Sequence, residues 1–194
     1  MAIGLLAMAF VALVLPYKAS AATSEGLPEA KRTRAAFTST PKKSRRSSNN
    51  PGGPARVLFL DLRTRAEAMY VGMTTGVDAL VPYVEHQELM TGWDPQRNIY
   101  RLEPMQDFVP AANRRLRANG LAKTDIVVLI CRSGGRSSCG ANRLAEDGFS
   151  RVYSVVDGFE GDMSPDGRRT VNGWKNTGLP WSFRLDKARM YFPR

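Results

Sequence analysis

The stretch Ile126-Val127-Val128-Leu129-Ile130-Cys131-Arg132-Ser133-Gly134-Gly135-Arg136-Ser137 decides how this chain is read. Five apolar residues without alternation indicate a strand buried on both faces, as in a parallel sheet. The strand ends in a cysteine, a short glycine-containing loop follows, and Ser137 opens a helix over 137–147 that stops at Gly148. Open α/β sheets bind their ligands at the carboxyl ends of strands, where this thiol falls. Loop N–H groups curled around the sulfur, with the positive end of a helix dipole behind them, favour thiolate over thiol. Thiolate is the nucleophilic form. An isolated cysteine would read as a small buried hydrophobe. One followed by Arg, Ser, Gly, Gly, Arg and Ser reads as a nucleophile in an anion-binding loop.

Outward from this loop, strands and helices alternate. The run Arg56-Val57-Leu58-Phe59-Leu60 predicts a second buried strand, ended by Asp61-Leu62-Arg63. Thr64 and Glu67 have capping-box spacing for a short helix to about Tyr70. A short strand is expected over 78–81, and residues 84–104, with Trp93, Asp94-Pro95 and Pro104, read as an irregular insertion. Phe108, Ala112 and Leu116 recur at spacing four and predict a helix ending at Asn119-Gly120. The last strand is expected over 152–156. Alternation of this kind specifies a parallel sheet covered by helices on both faces.

The amino-terminal third has another character. Residues 1–21 read as a signal peptide: residues 3–15 are uninterruptedly apolar, and Ala19-Ser20-Ala21 is a small-x-small cleavage site. The apolar run is too short for a permanent anchor. The expected destination is export, to a periplasmic compartment. Residues 22–55 carry seven Lys or Arg against two Glu and few large apolar groups, and are expected to be a disordered basic linker. Much of the formal charge of +10 and the pI near 10.1 therefore belongs to a tail, with weak attraction to membrane headgroups as its plainest consequence. No aromatics alternate with these basic residues, so nucleic-acid binding is excluded. Residues 56–194 fit one domain with a carboxyl-terminal tail over about 184–194. With two cysteines there is no disulfide scaffold, and the spacing of Cys and His predicts no metal site.

Four pieces of this chain resemble rhodanese-domain sulfurtransferases: Leu60-Asp61-Leu62-Arg63, the Cys131 loop, Asp157-Gly158-Phe159-Glu160-Gly161, and Gly173-Trp174-Lys175-Asn176-Thr177-Gly178-Leu179-Pro180-Trp181. The resemblance is to the single-domain bacterial type and runs from about Val57 to Trp181. It implies a rhodanese-like three-layer α/β sandwich with about five parallel strands. It also implies a cysteine that takes sulfane sulfur from a donor such as thiosulfate and passes it, as a persulfide, to a thiophilic acceptor, without a cofactor. Two departures stand out. The family's opening strand and helix have no evident counterpart in residues 22–55, and Thr75-Gly76-Val77-Asp78-Ala79 replaces the family's His-x-Pro-Gly-Ala stretch.

The expected roles follow. Cys131 carries the sulfur; Arg132, Ser133, Gly134, Gly135, Arg136 and Ser137 form the anion-binding loop, the two glycines permitting its curl. Arg136 offers its fork to substrate oxygens, and Arg132 projects at the rim, where it selects substrate charge. Asp61, with Arg63, is expected either to tie down the loop or Arg136, or, on at least equal grounds, to form a purely structural ion pair. Cys139 is either a resolving thiol or a small residue packed against the sheet. The substrate is a small sulfur-containing anion, and the acceptor a thiol or partner protein. A cysteine phosphatase or arsenate reductase is the rival enzyme, and a non-turnover sulfur carrier the rival module. Phosphatase loops place arginine at the sixth position after the cysteine; here Arg136 stands at the fifth. The shorter loop favours sulfur over phosphoryl transfer.

Overall fold

The computed structural model describes residues 27–32, 37–39 and 57–193. The proposed signal peptide lies outside the described residues. Five strands form the central sheet: β1 (Phe37–Ser39), β2 (Val57–Asp61), β3 (Ala79–Leu80), β4 (Ile126–Ile130) and β5 (Val152–Val155). Their order is β1-β5-β4-β2-β3, and every neighbouring pair is parallel. Among the described residues three α-helices accompany them: α1 (Arg65–Val71), α2 (Phe108–Ala118) and α3 (Gly135–Glu146).

All five residues of β4 are buried, which requires cover on both sheet faces. That is the three-layer α/β sandwich. Register sets Leu60 beside Leu129 and Asp61 beside Ile130, so β2 and β4 end together. The residues following both strands therefore meet at one sheet edge.

Local signals explain the helices. Thr64 accepts the Glu67 N–H at 3.1 Å while Glu67 accepts the Thr64 N–H at 2.9 Å, a complete capping box. In α2 the stripe Phe108, Ala112 and Leu116 is buried. The helix stops where Gly120 takes φ 61°.

Two expectations are corrected. The segment 22–55 is not linker throughout: it supplies a 3-10 turn, Glu29–Lys31, and the edge strand β1 on β5. Parallel backbone pairing holds β1 on β5 and a Lys31–Asp162 ion pair (2.7 Å) holds the turn, neither of which composition reveals. The insertion 84–104 is regular: Val84–His86 pairs antiparallel with Leu102–Pro104, and Trp93–Asp94 with Ile99–Tyr100. Asp94 accepts the Gln96 and Arg97 N–H groups and Asn98 takes φ 51°, which makes the turn. The carboxyl-terminal tail, whose place the sequence left open, docks on this domain. Arg115 donates to the Ala188 and Met190 carbonyls (2.9 and 2.8 Å), and the Tyr191 hydroxyl to Asp107 (2.9 Å).

Candidate active site

Cys131 directly follows β4 and is 1% exposed. Its Sγ accepts the backbone N–H of Gly134 at 3.2 Å and of Ser137 at 3.3 Å. The thiol also faces Ser137 Oγ at 3.4 Å. That hydroxyl donates to the Gly134 carbonyl (2.9 Å) and accepts from Ser154 Oγ on β5 (2.9 Å). The anticipated cradle of N–H groups around the sulfur is present. Ser154 is a supporting residue that the sequence reading missed; a buried serine inside the strand Val-Tyr-Ser-Val was its visible mark.

The two loop glycines differ. Gly134 has φ 96°, and a Cβ there would lie 2.1 Å from the Val156 carbonyl oxygen. Gly135 is already the first residue of α3 and lacks a positive φ. Only Gly134 makes the curl.

Residues 157–161 clamp this loop from outside. Phe159 N–H donates to the Cys131 carbonyl (2.7 Å), and the Glu160 and Gly161 N–H groups donate to that of Arg132 (2.9 and 3.2 Å). Gly158 approaches so closely that a Cβ would sit 2.5 Å from the Arg132 backbone. The closing segment supports the clamp in turn. Trp174 and Lys175 donate their N–H groups to Gly158 and Phe159, and buried Trp174 packs against Phe59 with ring centroids 5.6 Å apart.

Arg136 does not offer a free fork. Its two terminal nitrogens bind Glu67 Oε2 and Oε1 at 2.7 and 2.6 Å. Burial pushes the Glu67 carboxyl up, but the Arg136 hydrogen bonds and charge outweigh it, helped by the Thr64 N–H, and hold its pKa at about 2. Burial likewise works against the Arg136 charge, and Glu67 reverses the effect. Glu67 thus serves twice, as half of a capping box and as the anchor of the Cys131 loop. Sequence showed only the first role, because the second joins residues 69 positions apart.

Of the two readings of Asp61, the structural ion pair is the one observed, and no hydrogen bond joins Asp61 to the loop or Arg136 among the described residues. Asp61 and Arg63 form a fully buried pair at 2.7 Å, and Arg63 also donates to the Gly72 carbonyl and stacks 4.0 Å over Phe159. Their part is structural, beneath the clamp. Arg132 is half-buried rather than projecting freely, and its Nε is buried without a hydrogen bond. Burial, then the neighbouring Arg169, lowers its pKa. Cys139 is exposed, which removes the packed reading. It lies two residues beyond Ser137, about 200° around the helix from the side chain that touches Cys131. Among the described residues, no group of three His, Cys, Asp or Glu is placed to hold a metal ion.

No protein-family model matches the chain. Over 127 residues it is 29% identical to an uncharacterized protein of Rickettsia rickettsii, covering 64% of this chain and 82% of that one. A match of 54 residues at 41% identity is to the thiosulfate sulfurtransferase GlpE of Actinobacillus pleuropneumoniae, covering 28% and 39%. One of 51 residues at 37% identity is to the putative sulfur carrier protein YrkF of Bacillus subtilis, covering 26% and 28%. Among solved structures, Rv0390 from M. tuberculosis aligns with 76% of this chain and 97% of its own, at 28% identity and a TM-score of 0.51. The fold is rhodanese-like. Within this rhodanese-like fold the cysteine stands at the carboxyl end of the strand between β2 and β5.

Proposed function

We propose that the chain is a sulfurtransferase that carries sulfane sulfur on Cys131. One observation carries the reading: two backbone N–H groups, from Gly134 and Ser137, converge on Cys131 Sγ. They stabilise negative charge on the sulfur without a general base. A donor such as thiosulfate is attacked at its outer sulfur by the Cys131 thiolate. The new S–S bond forms as the sulfur–sulfur bond of the donor breaks, and sulfite leaves with the electron pair. Ser137 can turn its hydroxyl toward the persulfide, since Ser154 holds it from behind. The short matches to a named thiosulfate sulfurtransferase and a putative sulfur carrier support this chemistry.

Arg136 argues against phosphoryl transfer. Its fork is committed to Glu67, so it is not available to clasp a tetrahedral phosphoryl group. Export to a periplasmic compartment, with the basic amino-terminal segment drawn to membrane headgroups, is part of the same proposal.

The test is mass spectrometry of the protein after thiosulfate. One added sulfur on the Cys131 peptide, absent in Cys131→Ala, with transfer to cyanide, is the expected result. Phosphate-ester hydrolysis without sulfur transfer would overturn the assignment. Loading without turnover would leave a carrier.

A further inference from the structure

Glu160 sits in the clamp, with its N–H bonded to the Arg132 carbonyl and that of Phe159 bonded to Cys131. Of its carboxyl group, Oε1 is buried and makes no hydrogen bond among the described residues. Arg132 Nε, within electrostatic reach, is buried and unbonded as well. The charged groups that act on the Glu160 carboxyl are Glu67, Arg63, Arg132 and Arg169. All except Glu67 carry positive charge, yet none of the three is bonded to Oε1. Buried acceptors left open in this way are uncommon and call for an explanation. Burial, then the charge of Glu67, pushes the carboxyl above its ordinary range, and the arginines only partly offset this. A carboxylate raised toward neutrality is a better base.

Discharge of a persulfide to a thiol presents a proton problem. A thiol is mostly protonated at neutral pH, whereas the attacking form is thiolate. The Gly134 and Ser137 N–H groups face Cys131 Sγ and can receive the charge it leaves with, so the one unassigned task is removal of the acceptor's proton.

We propose that Glu160 is the general base that takes the proton of a small thiol acceptor as that thiol attacks the Cys131 persulfide. The inference rests on the sulfurtransferase reading above. The acceptor sulfur bonds to the sulfane sulfur, the Cys131 Sγ–S bond breaks, and Cys131 leaves with the electron pair as thiolate. The S–H proton of the acceptor passes to Glu160, which later releases it to solvent. No external oxidant or reductant is consumed.

The experiment loads wild type and Glu160→Gln with thiosulfate, removes the donor, and follows loss of the Cys131 persulfide. Two acceptors are compared across pH 6 to 9.5: 2-mercaptoethanol, which must lose a proton, and sulfite, which attacks as a dianion. At pH 7 the thiol-to-sulfite rate ratio is expected to fall on the order of tenfold in Glu160→Gln. The deficit should close as pH rises toward the acceptor's own thiol pKa, where it ionises unaided. An equal change for both acceptors, or a deficit that ignores pH, overturns the proposal. Wild type supplies a second test that needs no variant. Its thiol discharge below pH 8 should fall less steeply than about tenfold per pH unit. Strict proportionality to thiolate concentration overturns the role. Failure of wild type to load sulfur at all would instead defeat the persulfide reading.

Discussion

Glu67 and Arg136 face each other through two parallel hydrogen bonds of 2.6 and 2.7 Å, and this pair joins the first turn of α1 to the first turn of α3. Both side chains are largely buried, at 15% and 17% exposure. A pair so placed is costly to break from one side, because the remaining charge keeps its burial and loses its partner.

Glu67→Gln should therefore destabilise the fold by about 3 kcal/mol, because Arg136 stays buried without its counter-charge, while the amide oxygen can still close the capping box. The pH dependence follows from the same pair. The Glu67 pKa falls from 4.5 to about 2 on folding, so its contribution is fully present above pH 4.5 and disappears as pH falls through 2. Urea midpoints between pH 6 and pH 2 check this. The stability of wild type should decline more steeply over that range than that of Glu67→Gln, and parallel slopes would remove the assignment.

Gly134 and Gly135 predict opposite outcomes for the same substitution. At Gly134, alanine meets both a φ of 96° and the Val156 carbonyl at 2.1 Å. The loop must shift, and the Gly134 N–H leaves the sulfur. Sulfur loading should fall on the order of 10²-fold, as when a preorganised donor is lost, with about 2 kcal/mol of destabilisation. At Gly135 the nearest outside atom is the Ala30 carbonyl oxygen at 3.7 Å, in a helical turn. Gly135→Ala should load normally and gain up to about 1 kcal/mol. Thiosulfate loading and melting temperature of the two variants decide the matter.

The contrast shows which parts of the site were legible in sequence. Cys131, its loop and the flanking strand share one contiguous stretch, so hydrophobic pattern and turn chemistry sufficed. The alternation of strands and helices after residue 56 and the helix ending at Asn119 were legible for the same reason. What escaped joins distant residues. Glu67 satisfies a local cap, which concealed its bond to Arg136. Of the two readings of Asp61, the pair with Arg63 holds because the two are neighbours at one strand end. Residues 29–31 and 37–39 escaped for another reason. Each is too short for a hydrophobic period, and the hold of residues 29–31 on the domain is polar.

That polar hold predicts a distant effect on the active-site helix. Lys31, whose side chain is 12% exposed, binds Asp162, and the Ala30 carbonyl accepts Ser138 Oγ at 2.8 Å near the start of α3. Asn172 braces Asp162 by donating to it at 3.1 Å. Lys31→Met should cost about 1 kcal/mol. It should also speed amide exchange in the first turn of α3 more than in β4. Uniform exchange across the domain would show that residues 27–32 do not stiffen the Cys131 loop.

Cys139 offers the sharpest choice between the two roles first considered for it. It is exposed, whereas Cys131 is buried and bonded to the N–H groups of its own loop. A disulfide between them requires Cα atoms within about 7 Å and converging Cβ vectors. Ser137 already fills the direction from α3 toward Cys131, and Cys139 points to the other side of the helix. Iodoacetamide should therefore alkylate Cys139 in the folded protein, and Cys139→Ser should load sulfur from thiosulfate as wild type does. Peroxide treatment should yield no disulfide between residues 131 and 139. A disulfide found by peptide mapping under native conditions would restore the resolving thiol, because α3 would then have to unwind at its first turn to form it.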